Sequence, residues 1–246
     1  MQIDNKDFWE KEDIIATQRL KKISDFEQYM LSRAKELFAN FGTITNIKIF
    51  GCGSGREVES IADFYQPTKI VASDISENMI AKCKENLKLW KIDTITETLA
   101  INAVDYNKVS NTFELVTILN SMMTYVPERK DRLAIFKNSH QILKSNGIIA
   151  GTVHNQEGAL AKTVYFKLRN VFSFLFGEKA GNRDTGFNGF KVRGYYYCKK
   201  GLISDLKESG FTNIESYSLA EFYAKHQVDY NPRKGYNNLI FIATKP

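Results

Sequence analysis

The chain is poor in the residues that mark several common protein classes. Its three cysteines, Cys52, Cys83 and Cys198, form no C-x-x-C pair, so neither a disulfide framework nor a zinc site is indicated, and a reducing cytoplasmic setting is expected. Only four prolines occur in 246 residues, and there is no internal repeat and no low-complexity linker. The amino-terminal MQIDNKDFWEKED mixes charges from its start and lacks an apolar h-region, and no uninterrupted apolar run approaches the roughly 18 residues that span a bilayer. A soluble protein with no membrane span is expected. With 43% hydrophobic residues, the chain is long enough for one sizeable α/β core and too short for two large domains.

What is present is concentrated in IKIFGCGSGREVESIADF, residues 47 to 64. Ile47, Ile49 and Phe50 form the short apolar run of a central parallel strand, Gly51, Gly53 and Gly55 follow at alternate positions, and Val58, Ile61 and Ala62 then switch to helical spacing. Such a turn needs glycine to reverse sharply and to let a ligand lie close to the backbone, whose free amides at the helix start are donors. A nicotinamide dinucleotide fingerprint would need G-x-G-x-x-G, but Arg56 and Glu57 follow Gly55, and no G-K-[ST] completes a Walker loop. Nineteen residues past Gly55, KIVASDIS reads as a second strand ending in Asp74, whose carboxylate can accept from both hydroxyls of a ribose.

These residues resemble motifs I and II of the class I S-adenosylmethionine-dependent methyltransferases: an apolar strand into GCGSG, then VASDIS followed by ENMIAKCKENL. ETLAINAVDYN resembles the family's third-strand end, FELVTILNSMMTYV the fourth strand and HQILKSNGIIAGTV the approach to the fifth. KKGLISDLKESGFTNIESYS resembles the sixth strand with its helix, and NNLIFIATKP the last strand. The resemblance implies an α/β, Rossmann-like, doubly wound sheet of seven mostly parallel strands in the order 3-2-1-4-5-7-6, and S-adenosyl-L-methionine as the cofactor. It assigns cofactor contacts to Gly51, Cys52, Gly53, Ser54, Gly55, Asp74, Ile75, Met79, Asn102, Ala103 and Asn120. Asn102 stands where the family commonly has an acidic residue.

The chain divides into an amino-terminal helical cap (1–42), a cofactor-binding core (43–154), an insertion after the fifth strand (155–198) and a carboxyl-terminal completion of the sheet (199–246). Apolar residues recur at helical spacing through residues 6 to 40. Trp9, Arg19 and Tyr29 lie there, where the family often closes over its cofactor, although an amphipathic helix is the stronger account of them. The insertion is long for a pure connection and combines an apolar helical segment, Ala159 to Phe176, with a stretch rich in glycine, aromatic and basic residues. It reads as a lid bordering the crevice or as a helix packed on the sheet edge, with the Tyr195, Tyr196, Tyr197 run an ordinary strand. The net charge of +6 lies wholly beyond residue 150, which suits nucleic-acid phosphates, a small anionic metabolite or a merely solvated surface.

Methyl transfer needs an acceptor aligned with the methyl–sulfur bond, and a base only if the acceptor arrives protonated. His154, at the end of the predicted fifth strand, is the candidate base or a strand-end residue bonded to backbone; His226 is a second candidate, and His140 reads as structural. Asn120-Ser121-Met122-Met123 is not the [DN]-P-P-[YF] run that holds an exocyclic base nitrogen, and no Pro-Cys or Thr-Cys nucleophile occurs. A small-molecule acceptor methylated on oxygen or nitrogen is therefore expected. An RNA-modifying methyltransferase and a non-catalytic cofactor-binding partner subunit are the alternatives.

Overall fold

The computed structural model describes residues 3–17, 23–106, 110–186, 189–231 and 237–246. Three helices come first: α1 (Asn5–Trp9), α2 (Glu12–Thr17) and α3 (Asp25–Phe38). Strands and helices then alternate as β1 (Asn46–Phe50), α4 (Arg56–Tyr65), β2 (Lys69–Asp74), α5 (Glu77–Trp90), β3 (Thr96–Ala100), β4 (Phe113–Ile118), α6 (Arg129–Ile142) and β5 (Leu143–His154). The insertion holds α7 (Leu160–Val171), α8 (Ser173–Phe176) and a hairpin of β6 (Asn182–Thr185) and β7 (Val192–Tyr195). The chain closes with α9 (Lys199–Glu208), β8 (Thr212–Ser218), α10 (Leu219–Lys225) and β9 (Asn238–Thr244).

Seven strands make one sheet in the order β3-β2-β1-β4-β5-β9-β8. The strands from β3 to β5 run parallel, and β9 is antiparallel to both β5 and β8, which is the topology expected from the resemblance. Alternation along β1 explains the two core layers, since successive strand residues face opposite sides. Ile47 and Ile49 pack with Met30, Leu31, Val58 and Ile61, whereas Phe50 packs with Val116, Phe136 and Phe241 on the other face. Strand order reverses between β1 and its neighbours β2 and β4, and a crevice at that switch point is where ligands bind in open α/β sheets.

The single helical stretch expected over residues 6 to 40 is broken. Helix α1 stops at Trp9 because its end is used elsewhere: the Trp9 carbonyl accepts from Ser76 Oγ at 3.1 Å. The Glu10 carboxylate accepts from the backbone N–H of Glu77 at 2.7 Å and of Asn78 at 3.1 Å. An acidic side chain on the free amides of α5 complements the helix dipole. Phe8 and Ile14 pack with Val192, so the cap rests on the insertion's hairpin. Arg19 lies outside the described residues.

Candidate active site

The backbone leaves β1 through Gly51 (φ 70°), Gly53 (φ 52°) and Gly55 (φ 98°), conformations that a Cβ makes costly. The turn is bonded to the end of β2. Gly51 and Cys52 N–H donate to the Ser73 carbonyl at 2.7 and 3.0 Å, Gly53 N–H donates to Asp74 Oδ2 at 2.8 Å, and Ser76 N–H donates to Asp74 Oδ1 at 3.0 Å. Burial pushes the Asp74 carboxyl above its ordinary value, against the pull of the Ser76, Gly53 and Ile75 amides. A Cβ on Gly51 would collide with Met122 Cγ, whereas a Cβ on Gly53 would meet nothing within 4 Å.

Gly53 meets nothing because a cavity of about 900 Å³ opens beside it. This is at the upper end for small-molecule sites, enough for a nucleoside-sized group and a second reactant. Of the residues expected from the sequence, Gly51, Gly53, Asp74, Ile75, Met79, Asn102, Ala103, Asn120 and His154 line it. Cys52, Ser54 and Gly55 are not among the residues that line it. Cys52 is buried in the core with Cys83, the Ser54 carbonyl accepts from Asn86 Nδ2 at 2.8 Å, and Gly55 turns the chain into α4 in the left-handed conformation. They shape the turn from behind.

His154 pairs with Asn238 across β5 and β9, and its backbone N–H donates to Thr124 Oγ1 at 3.0 Å. Its buried ring lies 5.2 Å from that of Tyr196. Burial first and the Lys162 charge second push its pKa down to about 4, so the imidazole is neutral at pH 7. Neither other histidine lines the cavity. His226 Nδ1 sits 2.8 Å from the Phe222 carbonyl, with the ring between Phe222 and Tyr29, away from the cavity wall; His140 packs on Phe211.

The cavity's roof comes from segments near the two ends of the chain. No described residue of the 155–198 insertion lines it. Trp9 and Phe26 cover it from the amino-terminal cap, and Leu219, Tyr223 and Tyr230 from the segment around α10. Tyr29 does not line it. Tyr223 Oη donates to Asp25 Oδ1 at 2.7 Å and its ring stacks on Tyr230 at 4.9 Å, joining the two covers. Arg56 also lines the wall and is fixed to Glu27 at 2.7 Å. Burial alone would raise the Glu27 carboxyl, but Arg56 and Ser24 outweigh it and hold it below the usual range. Beside this pair, Glu57 is 3.8 Å from Arg56, but that guanidinium is already engaged by Glu27, so burial prevails and pushes the Glu57 carboxyl up to about 8.

A glycine turn hydrogen-bonded to the acidic end of the neighbouring strand, at the switch point of this sheet, agrees with an independent match: residues 47–147 fit the family described as "Methyltransferase domain". Over those residues the chain matches a methyltransferase domain. Carboxy-S-adenosyl-L-methionine synthase of Glaesserella parasuis is 28% identical over 109 residues, which cover 43% of this chain and 43% of that protein. The chain spans about half the length of the curated relatives it matches. The N-methyltransferase NodS of Bradyrhizobium japonicum, solved with S-adenosyl-L-homocysteine, is 13% identical with a TM-score of 0.59, over 98% of this chain and 96% of that one. Phosphoethanolamine N-methyltransferase 2 of Haemonchus contortus, solved with phosphomonomethylethanolamine and S-adenosylhomocysteine, is 16% identical with a TM-score of 0.63, over 99% of this chain and 60% of that one. At such identities the two structures show the fold shared with this methyltransferase domain. No described helix is long and apolar enough to cross a membrane.

Proposed function

We propose that the protein transfers a methyl group from S-adenosyl-L-methionine to an oxygen or nitrogen of a small-molecule acceptor. The observation that carries this reading is the Asp74 carboxylate set against the open face of Gly53, in one cavity that continues to His154. The residues fit the cofactor. Each Asp74 oxygen accepts one backbone amide and keeps lone-pair capacity for a ribose hydroxyl. Ile75, Met79 and Ile101 give apolar walls for an adenine, and Asn102 and Ala103 its edge. Bound there, S-adenosylmethionine would supply a methyl group made electrophilic by its sulfonium.

The chain's own part is positioning and exclusion of water, with Trp9, Phe26, Tyr223 and Tyr230 as the cover. His154, the one histidine on the wall, is placed to receive the proton of a hydroxyl or ammonium acceptor, while the burial that keeps it neutral at pH 7 makes it a weak base. Among the described lining residues Arg56 is the one permanent cation, and it is paired with Glu27. That favours a neutral or amine acceptor over an anionic one. NodS and the Haemonchus enzyme, both N-methyltransferases, support a nitrogen acceptor.

The test is transfer of labelled methyl from S-adenosylmethionine into a host extract separated into small-molecule and RNA fractions, with Asp74→Ala as control. Label in the small-molecule fraction, lost in the control, is expected. Label confined to RNA, or cofactor binding with no transfer to either fraction, refutes the proposal.

A further inference from the structure

The insertion after β5 contributes no described residue to the cavity wall, yet it carries an apolar surface that no described residue covers. In α7, Leu160, Val164, Leu168 and Val171 fall at i, i+4, i+8 and i+11, one stripe of a helix. That stripe faces solvent: Leu160 is 71%, Leu168 56% and Val171 70% exposed, and α8 continues it with Phe174 at 79% and Leu175 at 66%. The inner face of α7 is anchored. Phe166 is buried 5.4 Å from the Tyr196 ring, and Asn170 Nδ2 donates to Gln156 Oε1 at 2.8 Å. The helix is therefore seated on the body of the protein with its more apolar side outward, the reverse of an ordinary surface helix.

Charge identifies what that side meets. Residues 158–176 hold Lys162, Lys167 and Arg169 and no acidic residue; Lys162 turns inward over the Tyr196 ring, which leaves Lys167 and Arg169 near the outer side. Arg169 hydrogen-bonds to the carbonyls of Lys179 and Ala180 and to the Tyr165 hydroxyl, neutral oxygens, and pairs with no carboxylate among the described residues. Exposed lysine Lys167 lies beside the stripe. An exposed Leu, Val and Phe face flanked by cations suits a helix lying in the interface of an anionic bilayer. A second copy of the same segment would bring like charges together, and aliphatic stripe residues neither pair nor stack with the bases of RNA.

We infer that α7 and α8 dock the protein, in the plane of the surface, onto an anionic lipid bilayer. This goes beyond the methyl-transfer reading and does not depend on it. Because Phe166 rests on Tyr196, which touches His154, docking at the outer face of α7 lies two side chains from the cavity.

The test is co-sedimentation of the full chain with vesicles of phosphatidylcholine alone and of phosphatidylcholine mixed with phosphatidylglycerol, with sedimentation velocity of the free protein in parallel. Binding to the mixed vesicles, weakened by salt, is expected. Leu168→Glu and Phe174→Glu, whose side chains are exposed and whose melting should match wild type, should each lower partitioning by at least about tenfold. Lys167→Ala should lower it about fivefold, and together with the salt series it carries the test if either glutamate variant fails to fold. The inference is overturned if mixed vesicles do not bind, if pure phosphatidylcholine binds as well, or if the glutamate variants bind like wild type. It is equally overturned if the protein is a dimer that Leu168→Glu dissociates and that ignores vesicles.

Discussion

Asp74 offers the sharpest test, because the structure predicts opposite effects on binding and on folding. Its carboxylate is buried at the cavity and its pKa is raised, chiefly by desolvation. A carboxyl whose folded pKa lies above its unfolded value stabilises the fold below the unfolded pKa, and that contribution is lost as pH rises through the folded one. At pH 7 the ionised Asp74 is thus a cost to folding, tolerated at a place where a charge is useful. Asp74→Asn removes the charge but keeps an oxygen for the Gly53 or Ser76 amide, so its stability should equal or exceed that of wild type. Binding should move the other way. Hydrogen bonds to a charged group contribute about 1.5–3 kcal/mol each, so losing two ribose contacts in Asp74→Ala should cost about 3 kcal/mol or more, roughly a hundredfold in Kd. Asp74→Asn, which keeps one acceptor and can donate to a hydroxyl, should lose about tenfold. Calorimetric titration with S-adenosylmethionine, alongside denaturant unfolding of each variant, gives both quantities. Wild-type affinity should also weaken on acidification, beginning at a higher pH than for an exposed aspartate. If both variants bind within about threefold of wild type while remaining folded, Asp74 is not the ribose ligand.

Three further outcomes follow from the same geometry. His154→Ala should lower turnover about a hundredfold or more with cofactor Kd unchanged; wild-type turnover would remove it as the base. Glu57→Gln should match wild-type stability near pH 4.5 and exceed it increasingly up to about pH 8, because the raised Glu57 pKa makes wild type lose stability across that window, on the order of 3 kcal/mol by pH 7. Denaturant titrations at several pH values measure this, and a pH-independent difference would contradict it. Gly51→Ala and Gly53→Ala should separate folding from binding: the first drives a Cβ into Met122 and should lower the melting temperature. The second places its methyl in the cavity, at about 1–2 kcal/mol of backbone strain, and should chiefly weaken cofactor binding; equal melting losses would show that Gly53 does not face a ligand.

What could be read from the sequence is what depends on near neighbours in the chain. The strand, the glycines and the helix start occupy residues 47 to 64, and the spacing to Asp74 is one helix and one strand, so both walls of the cofactor side were legible from motif and period. The roof was not, because its pieces lie at opposite ends of the chain. Trp9 and Phe26 meet Tyr223 and Tyr230 across some two hundred residues, and no local pattern separates a roof aromatic from a core one. In EFYAKHQVDY the histidine is the residue type that suggests chemistry, whereas Tyr223 and Tyr230 line the cavity. Similarly, Arg56 and Glu57 excluded a dinucleotide fingerprint by type, whereas their role depends on Glu27, brought in by a distant helix.

The insertion shows a different limit. Periodicity reported that Ala159 to Phe176 is helical and apolar, and both features are present, yet a period carries no sign: it states that one face differs from the other, not which face is turned inward. Phe166, Thr163 and Asn170 lie on the inner side and the aliphatic stripe on the outer one. The usual inference from amphipathic spacing to core packing assumes that the protein has more body to cover than the helix has apolar surface. Here Tyr196 is covered by one phenylalanine and the sheet behind it by its own crossover helices. The remaining apolar residues of α7 and α8 stay exposed among the described residues, with Phe174 against the Phe172 ring, and their presence beside Lys167 points to something outside the chain.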